Sequence, residues 1–240
     1  MSPSPQGAGS TAVAPRSRSR RRPSVLTVVG LLLLVAGLSC LGWVAYQYFG
    51  TNVVADRRFS RERQELRNSW DAAGPAATPP ASGASAPAGS PPLPGHATAL
   101  LRIPRFGAGY EVPVVEGTGL DQLSEGVGHY EGTAAPGAVG NFAIAGHRVT
   151  HGEPFSRLLE LGKGDQVVVE TSSAVYTYVL DTAPRDLTVK DTAGWVLDPV
   201  PGEPETRATR PLITVTTCQD LFHSADRSVA FGHLASTQNT

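Results

Sequence analysis

The stretch PLITVTTCQDLFHSADRSVAFGHL, residues 211–234, decides how the chain is read. Leu212–Thr217 is rich in β-branched residues and reads as a strand. Ser228–Leu234 follows closely as a second strand, and Cys218 stands just past the end of the first. Further runs of the same kind lie upstream, bounded by Gly and Pro: Ala99–Ile103, Glu111–Val115 and Asn141–Gly146. Asp165–Glu170 and Ala174–Asp181 read as a hairpin joined by Thr171, Ser172 and Ser173. Short strands at this spacing predict a mostly β domain over 99–240, a sandwich or a barrel. Phe155–Leu161 reads as a short helix. Residues 182–211 form a long connection rich in Pro and charge, of the kind that is functional or disordered inside a compact domain.

Outward from this domain the composition changes. Residues 71–98 are Ala, Pro, Gly and Ser with one charge, Asp71. That composition offers too little apolar surface to offset chain entropy, so a disordered, semi-stiff spacer is expected, holding the domain away from a membrane. Residues 56–70 are charged and are expected to extend a helix beyond the membrane. Val25–Phe49 is 25 residues without a charge. At about 1.5 Å per residue it reaches roughly 37 Å, enough to cross a hydrocarbon core of about 30 Å. Trp43, Tyr46, Tyr48 and Phe49 sit where an aromatic belt belongs. The expected organisation is a basic cytoplasmic tail (1–24), a transmembrane helix (25–49), a juxtamembrane segment with linker (50–98) and a catalytic domain (99–240).

The formal charge of −1 hides a polarised chain. Residues 1–98 carry +6, including Arg16, Arg18, Arg20, Arg21 and Arg22, while residues 99–240 carry −7. The arginine cluster before the apolar run predicts a cytoplasmic N-terminus and an extracellular domain. The acidic domain excludes a basic nucleic-acid footprint. Two cysteines exclude a disulfide scaffold. A cleaved signal peptide or a twin-arginine signal would need a shorter apolar core. Apolar residues continue beyond Cys40, which argues against lipidation there.

The chemistry centres on Cys218, the only cysteine outside the apolar run. An unpaired cysteine on the oxidising side is a candidate reactive thiol, against the alternative of a buried inert residue. Such a thiol needs a proton-shuttling partner. Among His96, His129, His147, His151, His223 and His233, His147 ends the apolar strand NFAIAG. It mirrors Cys218 as a polar group at a strand tip. Arg227 begins the next strand, nine residues after Cys218, and a short returning loop would bring its guanidinium near the sulfur to hold a developing oxyanion. A solvated turn residue is the competing reading for Arg227.

The stretches GHYEGTAAPGAVGNFAIAGHR (128–148) and ITVTTCQDLFHSADR (213–227) resemble the two signature regions of sortases, the cell-wall cysteine transpeptidases of Gram-positive bacteria. Among subclasses the chain is most similar to the actinobacterial class E enzymes, through GHYxGT, the HR after the strand and Phe222. Class C enzymes usually carry a C-terminal membrane helix, whereas this sequence ends six residues after Leu234. The resemblance implies an eight-stranded sortase β-barrel with short helices. It implies that Cys218 attacks the Thr–Gly carbonyl of an LAXTG- or LPXTG-type sorting signal, that His147 moves the proton, and that Arg227 holds the oxyanion. The acceptor implied is an amine of a peptidoglycan precursor such as lipid II, and the donors are secreted proteins bearing the signal. Tyr130 matches a tyrosine implicated in LAXTG preference, against the alternative of a core-edge aromatic with its hydroxyl satisfied, and Thr217 matches a threonine that orients substrate. The connection 182–211 falls where sortases carry a signal-selecting loop.

No cofactor or metal is implied. A His147–His151–Cys218 metal site would suit a helix, but Gly146 and Gly152 bracket the stretch after a strand. An L,D-transpeptidase would carry a histidine close before its cysteine, where this chain has Thr216 and Thr217. The other readings are a class F- or D-like sortase and a membrane-tethered binding module with a structural Cys218.

Overall fold

The computed structural model describes residues 24–46, 50–73, 96–218 and 224–240. The chain divides into two compact units, Met1–Trp43 and Val44–Thr240. The first is dominated by helix α1, Val25–Ala45, whose residues are all exposed. Among the described residues it is the one helix long and apolar enough to cross a membrane, with a mean hydropathy of 2.5. The expected span runs on to Phe49. Residues 47–49, the arginine cluster before the helix and residues 74–95 of the expected spacer lie outside the described residues.

The second unit is built on a sheet that closes on itself. Its strands are β1 (Ala97–Arg102), β2 (Val112–Glu116), β3 (Val127–His129), β4 (Gly140–Gly146), β5 (Gln166–Glu170), β6 (Ala174–Leu180), β7 (Thr188–Lys190), β8 (Pro211–Cys218) and β9 (Asp226–Asn239). The order is β6-β5-β1-β2-β3-β4-β8-β9, and the pairing of β6 with β9 completes an eight-stranded barrel. β7 lies outside the ring, paired to the start of β9. Closure leaves no unpaired edge in the ring. The interior is filled by Leu101, Val114, Phe142, Ile144, Val169, Tyr178 and Ile213, each 1 % exposed or less.

The expected strands are present with small changes at their ends. β9 runs five residues past the expected Leu234, because its polar continuation pairs through backbone, with Ala174 opposite Asn239. β3 and β7, three residues each, are too short to show a pattern in sequence. Phe155–Leu161 is not a helix; only Leu158–Glu160 forms a 3₁₀ turn. Phe155, Leu158 and Leu161 are fully buried at a spacing of three, the period of a 3₁₀ turn rather than an α-helix. The long connection 182–211 holds β7 and a 3₁₀ turn at Gly194–Leu197. It is tied down by Asn141, whose side-chain amide donates to the carbonyls of Val196 (3.0 Å) and Asp198 (3.1 Å). Thr214 donates to Asn141 Oδ1 at 2.8 Å, so the anchor is itself held from β8.

Helix α2, Thr51–Ala73, belongs to the same unit as the barrel. Among its many charges it carries Ala55, Phe59 and Leu66, all buried, at a helical spacing that gives it one apolar face. Arg67 bonds Glu111 at 2.7 Å, and Arg63 donates to the Glu111 carbonyl at 2.6 Å. The charged residues 56–70 thus lie in a helix that packs on the barrel through one apolar face.

Candidate active site

The site is set by ladder register at one end of three neighbouring strands. β4 and β8 run parallel, and Gly146 pairs with Thr217. The next residue along each strand is His147 on one side and Cys218 on the other. β9 returns antiparallel beside β8, and there Cys218 pairs with Arg227. The backbone thus brings together the cysteine, the histidine and the arginine that stand 71 and 9 positions from one another in sequence.

Buried polar groups hold this end of the sheet. The Thr217 hydroxyl donates to the Gly146 carbonyl at 2.9 Å, and Thr216 to the Ile144 carbonyl at 3.3 Å. Both threonines are 2 % exposed. Thr217 is therefore turned onto the neighbouring strand, where it fixes the backbone from which His147 departs. Gly146 leaves room for Phe155: a Cβ there would lie 2.6 Å from its ring. The Phe155 amide donates to the His147 carbonyl at 2.9 Å.

The His147 ring is half-buried and stacks on His151, with centroids 4.8 Å apart. His151 in turn bonds Thr150 Oγ1 through Nδ1 at 2.9 Å. Burial, aided by the Arg58 charge, lowers the His151 pKa and favours its neutral ring. The Arg227 guanidinium is anchored through Nη1 by the carbonyls of Ser224 and Asp226, and its Nη2 lies 3.8 Å from Asp191 Oδ2. Its side chain keeps 29 % of its exposure, so the group is held in place yet reachable.

Tyr130 follows β3 directly, and its hydroxyl lies 3.3 Å from Thr216 Oγ1. This brings it to within two positions of Cys218 along β8. Behind it sits a pair that sequence reasoning passed over. His129 Nδ1 and Glu116 Oε2 are 2.8 Å apart, both residues 8 % exposed, and His129 Nε2 meets Thr133 Oγ1 at 2.9 Å. Thr133 donates to the Tyr130 carbonyl at 2.7 Å, closing a network under the tyrosine. The GHY segment and an acid at the end of β2 were its only sequence signals. His233 pairs with Asp181 at 3.0 Å and His96 is exposed. His223 and Phe222 lie outside the described residues.

A cysteine, a histidine and an arginine at one sheet end suit nucleophilic acyl transfer: a thiolate to attack, an imidazole to move protons and a guanidinium to take developing charge. Comparison with known proteins points the same way. The family profile described as Sortase domain matches residues 101–235. The chain is 34 % identical to the sortase SrtE1 of Streptomyces coelicolor over 92 % of its own length, and spans 61 % of that relative. It is 30 % identical to the sortase SrtE2 of the same organism, covering 92 % of this chain and 88 % of that one. The solved structure of sortase E from Streptomyces avermitilis is 40 % identical, superposes with a TM-score of 0.55, and covers 61 % of this chain and 93 % of its own.

Proposed function

Because this chain belongs to the sortase family, whose members are cysteine transpeptidases, we propose that it is a membrane-anchored member of that class. It cleaves a C-terminal sorting signal of the LAXTG or LPXTG type between Thr and Gly and joins the new carbonyl end to an amine of a peptidoglycan precursor. The observation that carries this reading is the register that pairs Cys218 with Arg227 beside the paired Gly146 and Thr217.

The Cys218 thiolate supplies the electron pair that forms a bond to the threonine carbonyl carbon, and the carbonyl π pair moves to oxygen. Arg227, anchored at Nη1, donates to that oxyanion. Collapse expels the glycine nitrogen, which takes a proton from His147, and leaves a thioester on Cys218. The incoming amine gives a proton to His147 as it attacks, and the thiolate departs with the sulfur–carbon pair. The stacked His151 ring and the Phe155 amide bond hold His147 in line for both transfers. Tyr130 contacts the signal residue before X, and Thr217 orients the substrate by fixing the backbone at Gly146. The pinned connection 182–211 forms a wall of the signal groove.

The apolar α1 serves as the anchor, and the arginines before it keep the N-terminus cytoplasmic with the barrel outside. In detergent, the full-length protein is expected to cleave a fluorogenic LAXTG peptide and join it to an amine. Cys218→Ala is expected to abolish both reactions. Undiminished turnover in that variant contradicts the cysteine mechanism, and turnover abolished by EDTA alone contradicts a metal-free one.

A further inference from the structure

The loop that leaves β4 with His147 has an unusual backbone. His151 (φ 55°), Gly152 (φ 79°) and Glu153 (φ 39°) are three consecutive residues in the left-handed region. Side chains other than Gly rarely adopt it, and such a conformation persists only where its surroundings over-determine it. On the barrel side the loop is held by the Phe155 amide on the His147 carbonyl and by the Tyr110 hydroxyl on the Pro154 carbonyl at 2.7 Å.

The other side is held by α2. Asn52 Oδ1 accepts the Gly152 amide at 2.9 Å, across 100 positions of sequence. Phe59, 5 % exposed, and Ala55, 2 % exposed, pack against the same glycine. A Cβ at Gly152 would lie 2.6 Å from the Phe59 ring and 3.1 Å from Ala55 Cβ. Gly152 is thus required twice, by its φ and by the approach of the helix. His151, the preceding residue, is the one whose ring stacks on His147.

We propose that α2 is a positioning element of the active site: Asn52, Ala55 and Phe59 clamp Gly152, and through His151 they set the orientation of His147. The segment from Thr51 onward, expected to lie outside the catalytic domain, thereby becomes part of the catalytic unit. This proposal rests on the transpeptidase reading. It adds residues that touch no substrate and act only through the histidine loop.

The test uses the full-length protein in detergent, with an LAXTG peptide as substrate and an amine acceptor. Asn52→Ala and Phe59→Ala are expected to lower kcat about tenfold or more while KM changes less than about twofold. That pattern fits a misplaced proton donor and an intact binding groove. Asn52→Asp keeps an oxygen acceptor for the Gly152 amide and is expected to restore kcat. Arg61→Ala, on the exposed face of α2, is expected to behave as wild type. Hydrogen exchange over 147–155 is expected to speed up in Asn52→Ala and Phe59→Ala and to return in Asn52→Asp. Wild-type kcat in both alanine variants overturns the proposal, as does unchanged exchange across the loop. A fall in Asn52→Asp equal to that in Asn52→Ala also overturns it. Failure of the transpeptidase reading looks different: the unsubstituted protein itself gives no turnover, or Cys218→Ala retains it.

Discussion

Thr217 donates its hydroxyl to the carbonyl of Gly146 at 2.9 Å, and this one buried bond joins the ends of the two parallel strands that carry Cys218 and His147. Thr217→Val keeps the branched shape and removes only the donor. It is expected to lower stability by about 1 kcal/mol, the usual net worth of such a bond. It is also expected to lower kcat several-fold as the strand ends loosen. Thr217→Ser, which keeps the hydroxyl, should recover most of the activity. Chemical denaturation and steady-state kinetics on the three proteins check both effects.

Arg227 holds two backbone carbonyls through Nη1 and keeps Nη2 for other partners. Lysine offers a point charge without that fork. Arg227→Ala and Arg227→Lys are therefore both expected to lower kcat by about 10²-fold or more, the scale of a lost oxyanion donor. Their melting temperatures should stay close to wild type. A lysine variant within a few-fold of wild type would show that charge alone suffices.

The buried pair of His129 and Glu116 carries a different prediction. Glu116→Ala leaves His129 Nδ1 without its acceptor in a nearly dry site, a change expected to destabilise the domain by about 2 kcal/mol. The loss should also reach Tyr130 through Thr133, so cleavage of LAXTG over LPXTG peptides is expected to change. Denaturation midpoints and paired peptide assays read the two parts separately.

His151 makes the clamp on the histidine loop sensitive to pH. Its folded pKa is lowered from 6.5 by burial and by Arg58, so the unfolded chain binds the proton more readily. Stability from this residue is full above about 6.5 and is lost as pH falls below it. Glu153, beside it, has a pKa raised from 4.5 by burial and by Asp56, so its contribution has the opposite sign, full below about 4.5 and lost as pH rises through the folded pKa. Between about pH 7.5 and 5.5 the melting temperature should fall more in wild type than in His151→Asn, since Asn does not titrate and accepts a positive φ.

Much of this arrangement was legible in the sequence, for physical reasons. Leu212–Thr217 is β-branched and Asn141–Gly146 largely apolar because nearly all of both is buried in the barrel wall, so their tips could be located, and with them Cys218 and His147. Arg227 followed from a short return beside the parent strand. What spacing could not show was pairing. Paired residues of β4 and β8 lie 71 positions apart in sequence and meet only in the closed ring, and β3 and β7 are too short to carry a period. The largest gap was α2. Its five arginines between residues 56 and 70 made it look like a solvated extension, while Ala55, Phe59 and Leu66 spell out a buried stripe at helical spacing. The φ values of His151 and Glu153 had no signal at all, since they are imposed by packing from both sides.

The most direct test of the central claim is the intact mass of the full-length protein after brief exposure to an LAXTG peptide without an amine acceptor. A thioester at Cys218 predicts an added mass equal to the signal cut after threonine. The adduct should disappear when an amine is supplied and be absent in Cys218→Ala. No adduct in an actively cleaving protein, or the same adduct in Cys218→Ala, would contradict it.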